Sequence, residues 1–239
     1  MSHSAGWFPE GLLPATIERK SLIMALIIFD YDGVLADTLD DLLRFGQEAC
    51  NALGVNHAVT RDDLNNLEVM SFASYGRACG VPEALIDEFV RICLTLFAEK
   101  DSPPAIVTGV GNVVRTLSVH HPIAIVTTNS SQNVNAFLVE HGLDGLIHAV
   151  YGVDSPGSKA VKISIARDRF LENGKQGKVF MVGDSLSDVL AAKEASVISI
   201  AVTWGHQSSE NLLRGKPDYL VSSPNELIEI IGPQHAATE

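Results

Sequence analysis

Asp30 and Asp32 stand two residues apart, directly after the apolar run 25–29. That run reads as a short strand buried on both faces. Side chains two apart in an extended chain point the same way, so both carboxylates face one pocket. Gly33 then ends the strand with a turn that tolerates unusual dihedrals. Open α/β sheets hold their ligands just beyond the carboxyl ends of the strands. Two acids this close repel one another unless a proton or a cation lies between them, and oxygen ligands suit Mg²⁺.

A second acidic turn has the same construction. Val179-Phe180-Met181-Val182 is apolar, and Gly183-Asp184-Ser185-Leu186-Ser187-Asp188 follows it. Asp184 falls at a strand end, and Ser185 or Ser187 is placed to cap the next helix. Asp188 lies four residues on, so both acids can face one side of the first helical turn. Either turn alone has a bland reading, as a solvated loop end or as carboxylates resting at a helix N-terminus. Two of them after two buried strands point to one shared site.

With these residues in view, the chain resembles the haloacid dehalogenase superfamily of phosphohydrolases over about residues 25–231. Asp30-Tyr31-Asp32-Gly33-Val34-Leu35 is similar to its first motif, and the run from Gly183 to Asp188 to its fourth. The strand end Ile123-Ala124-Ile125-Val126-Thr127-Thr128-Asn129 is similar to the second, and Lys159, in Gly157-Ser158-Lys159-Ala160-Val161-Lys162, to the third. The Lys-Pro-x-Pro form common in close relatives is absent. Val107-Thr108-Gly109-Val110 resembles the segment by which the chain re-enters the core.

The resemblance implies a set of roles. Asp30 would be the nucleophile that forms an aspartyl-phosphate, and Asp32 the acid and then the base. Mg²⁺ would be held by Asp30, the Asp32 backbone carbonyl, Asp184 and Asp188, the last directly or through water. Thr128 would donate its hydroxyl to a phosphate oxygen, and Lys159 would neutralise nucleophile and phosphate. Asn129 and Ser130 offer further donors at the same strand end. Thr127 is the rival hydroxyl, since alternation lets only one of the pair face the pocket. Lys162 is the rival lysine, three residues from Lys159, and is expected to lean towards solvent or the cap side. Arg44 and Arg77 are read as solvated. Six histidines, His206 among them, show no metal-ligand spacing; Trp204-Gly205-His206 reads at most as a rim.

These groups need a scaffold that brings strand ends together. From 109 onward helical and strand patterns alternate, which implies a doubly wound parallel sheet of Rossmann-like α/β type with helices on both faces. Before that, helical patterns over 39–53, 61–78 and 82–100 form a separate lobe, where the resembling family carries a small helical cap. The expected division is a flexible extension at 1–23, a core from 24–37 and 102–231, a cap at 38–101 and a tail at 232–239. The 239 residues suffice for such a core and accessory lobe.

Composition narrows the partners. Twenty-nine acids against 17 bases give a net charge of −12, which argues against nucleic acid and against anionic membranes. Three scattered cysteines suit a reducing cytoplasm and small apolar roles. The leading expectation is a cytoplasmic, Mg²⁺-dependent phosphatase of a small phosphorylated metabolite, monomeric or homodimeric, resembling the phosphoglycolate phosphatases. A phosphomutase and a catalytically retired binding protein are the alternatives. Dehalogenase chemistry is disfavoured because that branch lacks an acid at the position of Asp32.

Overall fold

Apolar runs become strands and amphipathic runs become helices in the computed structural model, which describes residues 22–100, 102–172, 177–232 and 234–235. The chain opens with β1 (Leu22–Ile23), β2 (Leu26–Phe29) and β3 (Ala36–Asp37). Helices α1 (Leu39–Ala52), α2 (Asp62–Asn65), α3 (Phe72–Ala78) and α4 (Ile86–Ala98) follow. The chain then runs through β4 (Ala105–Ile106), α5 (Val110–Ser118), β5 (Ile123–Val126), α6 (Ser131–Glu140), β6 (Ala149–Tyr151) and α7 (Lys159–Glu172). It finishes with β7 (Val179–Gly183), α8 (Leu186–Glu194), β8 (Ile198–Val202), α9 (Ser209–Arg214), β9 (Tyr219–Val221), α10 (Asn225–Ile231) and β10 (Gln234–His235).

Six of the described strands form one sheet, ordered β6-β5-β2-β7-β8-β9, with every neighbouring pair parallel. The chain winds outward from β2 to β6, then returns to β7 on the other side of β2. That reversal between β2 and β7 opens a crevice at the carboxyl ends of the strands, where such sheets hold ligands. Strand β2 is buried throughout. Its Ile27 and Phe29 pack in one apolar layer with α5, α6 and α10, while Leu26 and Ile28 pack in the other with α7 and α8. Burying a side chain such as Phe29 completely contributes about 2 kcal/mol.

Helices α1 to α4 enclose an apolar core of their own, built on Cys50, Leu64, Tyr75, Cys79, Phe89 and Cys93. All three cysteines are free and buried, as small apolar residues are. Arg44 pairs with Asp41 and Glu48, and Arg77 with Glu83, on exposed faces. The helical pattern over 61–78 is broken at 66–71. Ser71 restarts the helix as α3 by accepting from the Ser74 N–H at 3.2 Å, and the Leu67 carbonyl is taken by Gln207 instead. The two connections to this lobe, β3 and β4, pair antiparallel.

The ends differ from expectation. Leu22–Ile23, assigned to a flexible extension, pairs antiparallel with Gln234–His235, assigned to a tail. Each segment satisfies backbone groups of the other, which an isolated extended end cannot do. The rest of the expected extension, 1–21, and positions 233 and 236–239 lie outside the described residues.

Candidate active site

Asp30 follows β2 without a break, its N–H donating to the Val182 carbonyl of β7 at 2.8 Å. The chain then turns tightly, with the N–H groups of Leu35 and Ala36 both donating to the Tyr31 carbonyl. Gly33 holds this turn at φ +73°, and a Cβ there would lie 2.0 Å from Asp184 Oδ2. Both dihedral and space therefore demand glycine. The second acidic turn ends β7. Ser185 caps α8 in a reciprocal box: its Oγ accepts from the Asp188 N–H at 3.2 Å, and Asp188 Oδ2 accepts from the Ser185 N–H at 3.1 Å. Ser185, not Ser187, is the cap.

These two turns bring three buried carboxylates together. Asp30, Asp184 and Asp188 each present an oxygen within 4.8 Å of the others. Asp30 Oδ1 is buried and has no hydrogen-bond partner among the described residues. A buried oxygen of this kind costs about 1–3 kcal/mol unless something outside the chain satisfies it. A hard divalent cation would, and the donor set is all oxygen. Asp32 stands outside the triplet; its carboxylate accepts from Asn129 Nδ2 at 3.0 Å.

Lys159 opens α7 and reaches the same point, its Nζ 3.0 Å from Asp30 Oδ2 and 2.5 Å from Asp188 Oδ1. Burial works against its charge, but the carboxylates of Asp188 and Asp30 outweigh this and raise its pKa. Lys162 does not lean towards solvent. It is buried, and its Nζ donates to the Gly152 carbonyl at 2.6 Å, so it pins the loop after β6.

Burial and the neighbouring acids set the other charges. Asp30 is lifted to about 8, by burial first, against the pull of Lys159 and with the push of Asp188, Asp184 and Asp32. Burial also lifts Asp32, opposed by the Asn129 hydrogen bond and by His206. Asp184 goes the other way: despite its burial, His206 holds its pKa below the usual carboxylate range. His206 is raised in turn, Asp184 outweighing the burial that disfavours its charge.

At the end of β5 the structure separates the two threonines. Thr127 is buried, and its Oγ1 accepts from the Asn129 N–H at 3.0 Å. Thr128, expected to bind phosphate, is exposed, because the strand stops at Val126 and the chain turns. Ser130 caps α6, accepting from the Asn133 N–H. A cavity of about 200 Å³ lies over this corner, with Asp32, Asn129 and Asn133 on the core side and Phe97 and Lys100 on the helical side. Sequence spacing did not single out His206. The one available signal was that Trp204-Gly205-His206 follows β8 at the same sheet edge.

A haloacid dehalogenase-like hydrolase profile matches residues 27–202. The chain belongs to that family. It is 30% identical over 213 residues to the phosphoglycolate phosphatase of Synechococcus elongatus, covering 87% of this chain and 97% of that one. The phosphoglycolate phosphatase of Vibrio parahaemolyticus is 29% identical, with coverage of 86% and 95%. Pyrophosphatase PpaX of Listeria welshimeri is 23% identical, again with 86% and 95% covered. Among solved structures, a haloacid dehalogenase-like hydrolase from Streptococcus pneumoniae has a TM-score of 0.72 at 22% identity, with 87% and 98% covered. The fold is thus that of the family: a doubly wound core with an inserted helical cap.

Proposed function

We propose that this hydrolase is a Mg²⁺-dependent phosphatase of a small phosphorylated metabolite, acting through an aspartyl-phosphate on Asp30. The observation that carries this is the environment of Asp30. One oxygen is held by Lys159 at 3.0 Å, while the other is buried beside Asp184 and Asp188 with no hydrogen-bond partner among the described residues. Asp30, Asp184 and Asp188 would hold the cation, with the Asp32 backbone carbonyl as a further ligand. Bound there, Mg²⁺ supplies charge neutralisation and orientation for a phosphoryl group.

In the first half-reaction a carboxylate oxygen of Asp30 bonds to phosphorus and the bond to the leaving alcohol breaks. Asp32, whose burial favours the protonated form, gives the leaving oxygen its proton. In the second, Asp32 takes a proton from water, the water oxygen bonds to phosphorus, and the bond to Asp30 breaks. Asn129 keeps Asp32 aimed throughout. Lys159 offsets charge on nucleophile and phosphate. The hydroxyl role passes from Thr128 to Thr127, which is the buried one of the pair.

The cavity of about 200 Å³ suits a small substrate. Phosphoglycolate is the first candidate, because the relatives at 29–30% identity bear that name; pyrophosphate is the second. Three buried free thiols suit a cytoplasmic setting, and among the described residues no helix is long and apolar enough to cross a membrane. The test is a panel of phosphorylated metabolites, including both candidates, assayed with Mg²⁺ and with excess chelator. Hydrolysis that depends on Mg²⁺ is expected. Full activity in chelator would reject the metal, and no turnover of any phosphate ester would reject the phosphatase.

A further inference from the structure

The loop after β8 carries a buried polar network that the proposed chemistry does not use. His206 is 2% exposed and Gln207 is 0% exposed. Two donors of His206 converge on a single oxygen of Asp184: the backbone N–H reaches Oδ2 at 2.7 Å, and ring Nδ1 lies 2.9 Å from the same atom. Two contacts on one oxygen fix the rotation of the carboxylate. Gly205 permits this approach, since a Cβ there would fall 2.3 Å from Asp184 Oδ2.

The helical lobe grips the same loop. Arg61 donates through Nε to the His206 carbonyl at 3.0 Å and through Nη2 to the Gly205 carbonyl. Thr38 Oγ1, where the lobe begins, lies 3.1 Å from His206 Nε2. Gln207 Nε2 donates to the carbonyls of Leu64 and Leu67 at 3.1 and 2.8 Å, while its Oε1 accepts from the Leu186 N–H at 2.7 Å. Leu186 lies two residues beyond Asp184. The Ser208 N–H donates to Asn65 Oδ1 at 2.9 Å. Segment 61–67 of the lobe and loop 205–208 of the core thus share buried or part-buried hydrogen bonds, which are costly to leave unmade.

We propose that His206 is a positioning residue that orients Asp184 for a divalent cation, and that Arg61 sets His206 from the cap, so that cap docking and cation binding are linked. This rests on the cation site proposed above, and it deepens that site by giving it a control from the cap. An outer partner that orients a metal-ligating carboxylate typically supplies about 10–100-fold in affinity. Linkage makes the effect reciprocal: a bound cation holds the cap segment down as firmly as the docked segment tightens the cation.

The test titrates Mg²⁺ by calorimetry into the full-length protein and into His206→Leu, His206→Asn and Arg61→Ala. Melting in chelator and kcat and KM at saturating Mg²⁺ are recorded beside it. His206→Leu should weaken Mg²⁺ by about 10–100-fold, and Arg61→Ala, whose guanidinium donates to the Gly205 and His206 carbonyls and acts on Asp184 only through them, by a smaller factor. His206→Asn should recover most of the affinity, because its amide can replace the Nδ1–H donor. At saturating Mg²⁺ the variants should regain much of their kcat.

A purely structural His206 would lower melting in chelator and leave the Mg²⁺ affinity of the folded protein unchanged. That result, or wild-type affinity in Arg61→Ala, overturns the inference alone. Should His206→Leu fail to fold, Arg61→Ala decides. A wild-type protein that takes up no Mg²⁺ overturns the proposed function and the inference together.

Discussion

Lys159 Nζ lies 3.0 Å from Asp30 Oδ2, which ties the first turn of α7 to the end of the central strand. One ammonium thereby offsets part of the charge of two buried carboxylates, since Asp188 shares it. The geometry separates the two lysines of this helix cleanly. Lys159→Ala should lower kcat by about 10²–10³-fold, the loss seen when a key electrostatic donor is removed. Lys162→Ala removes one of two donors to the Gly152 carbonyl, the Ser155 N–H at 3.0 Å remaining, and should cost about 1–2 kcal/mol of stability with kcat largely kept. Steady-state kinetics and thermal melts of both variants check this.

Asp30→Asn should abolish turnover, because an amide does not attack phosphorus. The fold should survive, and in chelator the variant should melt no lower than wild type, since the most strained carboxylate of the cluster is neutral. It should also lose the melting increase that Mg²⁺ gives the wild type. Phosphate trapped by mass spectrometry on a residue other than Asp30 in the wild type would refute the nucleophile.

The raised pKa of Asp30 has a definite sign. Free carboxyls titrate near about 4, whereas folded, cation-free protein holds this proton to about 8. Between those values the folded state binds more protons than the unfolded one, so this group's contribution to stability falls as pH rises. A cation must displace that proton. Its apparent affinity should therefore climb from pH 6 to 8, by up to about tenfold per unit, and level off above. Calorimetric titrations at pH 6, 7, 8 and 9 test it; a flat profile would show Asp30 already ionised.

Thr127→Val should reduce kcat, and it also removes the acceptor of the Asn129 N–H that steadies the neighbour of Asp32. Thr128→Val, at an exposed position, should change kcat less than twofold. Paired kinetics of the two variants give the answer, and the reverse order would return the hydroxyl role to Thr128.

Much of this site was legible because its chemistry sits where patterns break. An apolar run followed at once by acids marks Asp30 and Asp184 as strand-end residues, and the Ser185–Asp188 spacing marks a helix start. The threonines were not separable, since alternation assigns faces only once the last strand residue is known, and β5 stops at Val126, two residues earlier than its β-branched run suggests. Lys162 was misplaced because the facing of α7 depends on where Gly152 lies, a long-range fact. His206 was invisible for the same reason: its partner Asp184 is twenty-two residues away on the neighbouring strand, and a lone histidine carries no spacing. The break between α2 and α3 likewise depends on a glutamine from the far end of the chain.

Ala36 faces Ile106 and Asp37 faces Ala105, so the chain leaves for the helical lobe and returns from it along adjacent rails. Everything between the rails is an insert with neighbouring ends. A tight two-residue turn joining Asp37 to Ala105 would close the rails as an ordinary hairpin, leaving the winding of the parallel sheet untouched. The core can in that sense accept a graft. A differently shaped insert, spliced at the same two rungs, would remodel the roof over Asp32 while inheriting the acidic floor, and substrate choice could be exchanged as a module.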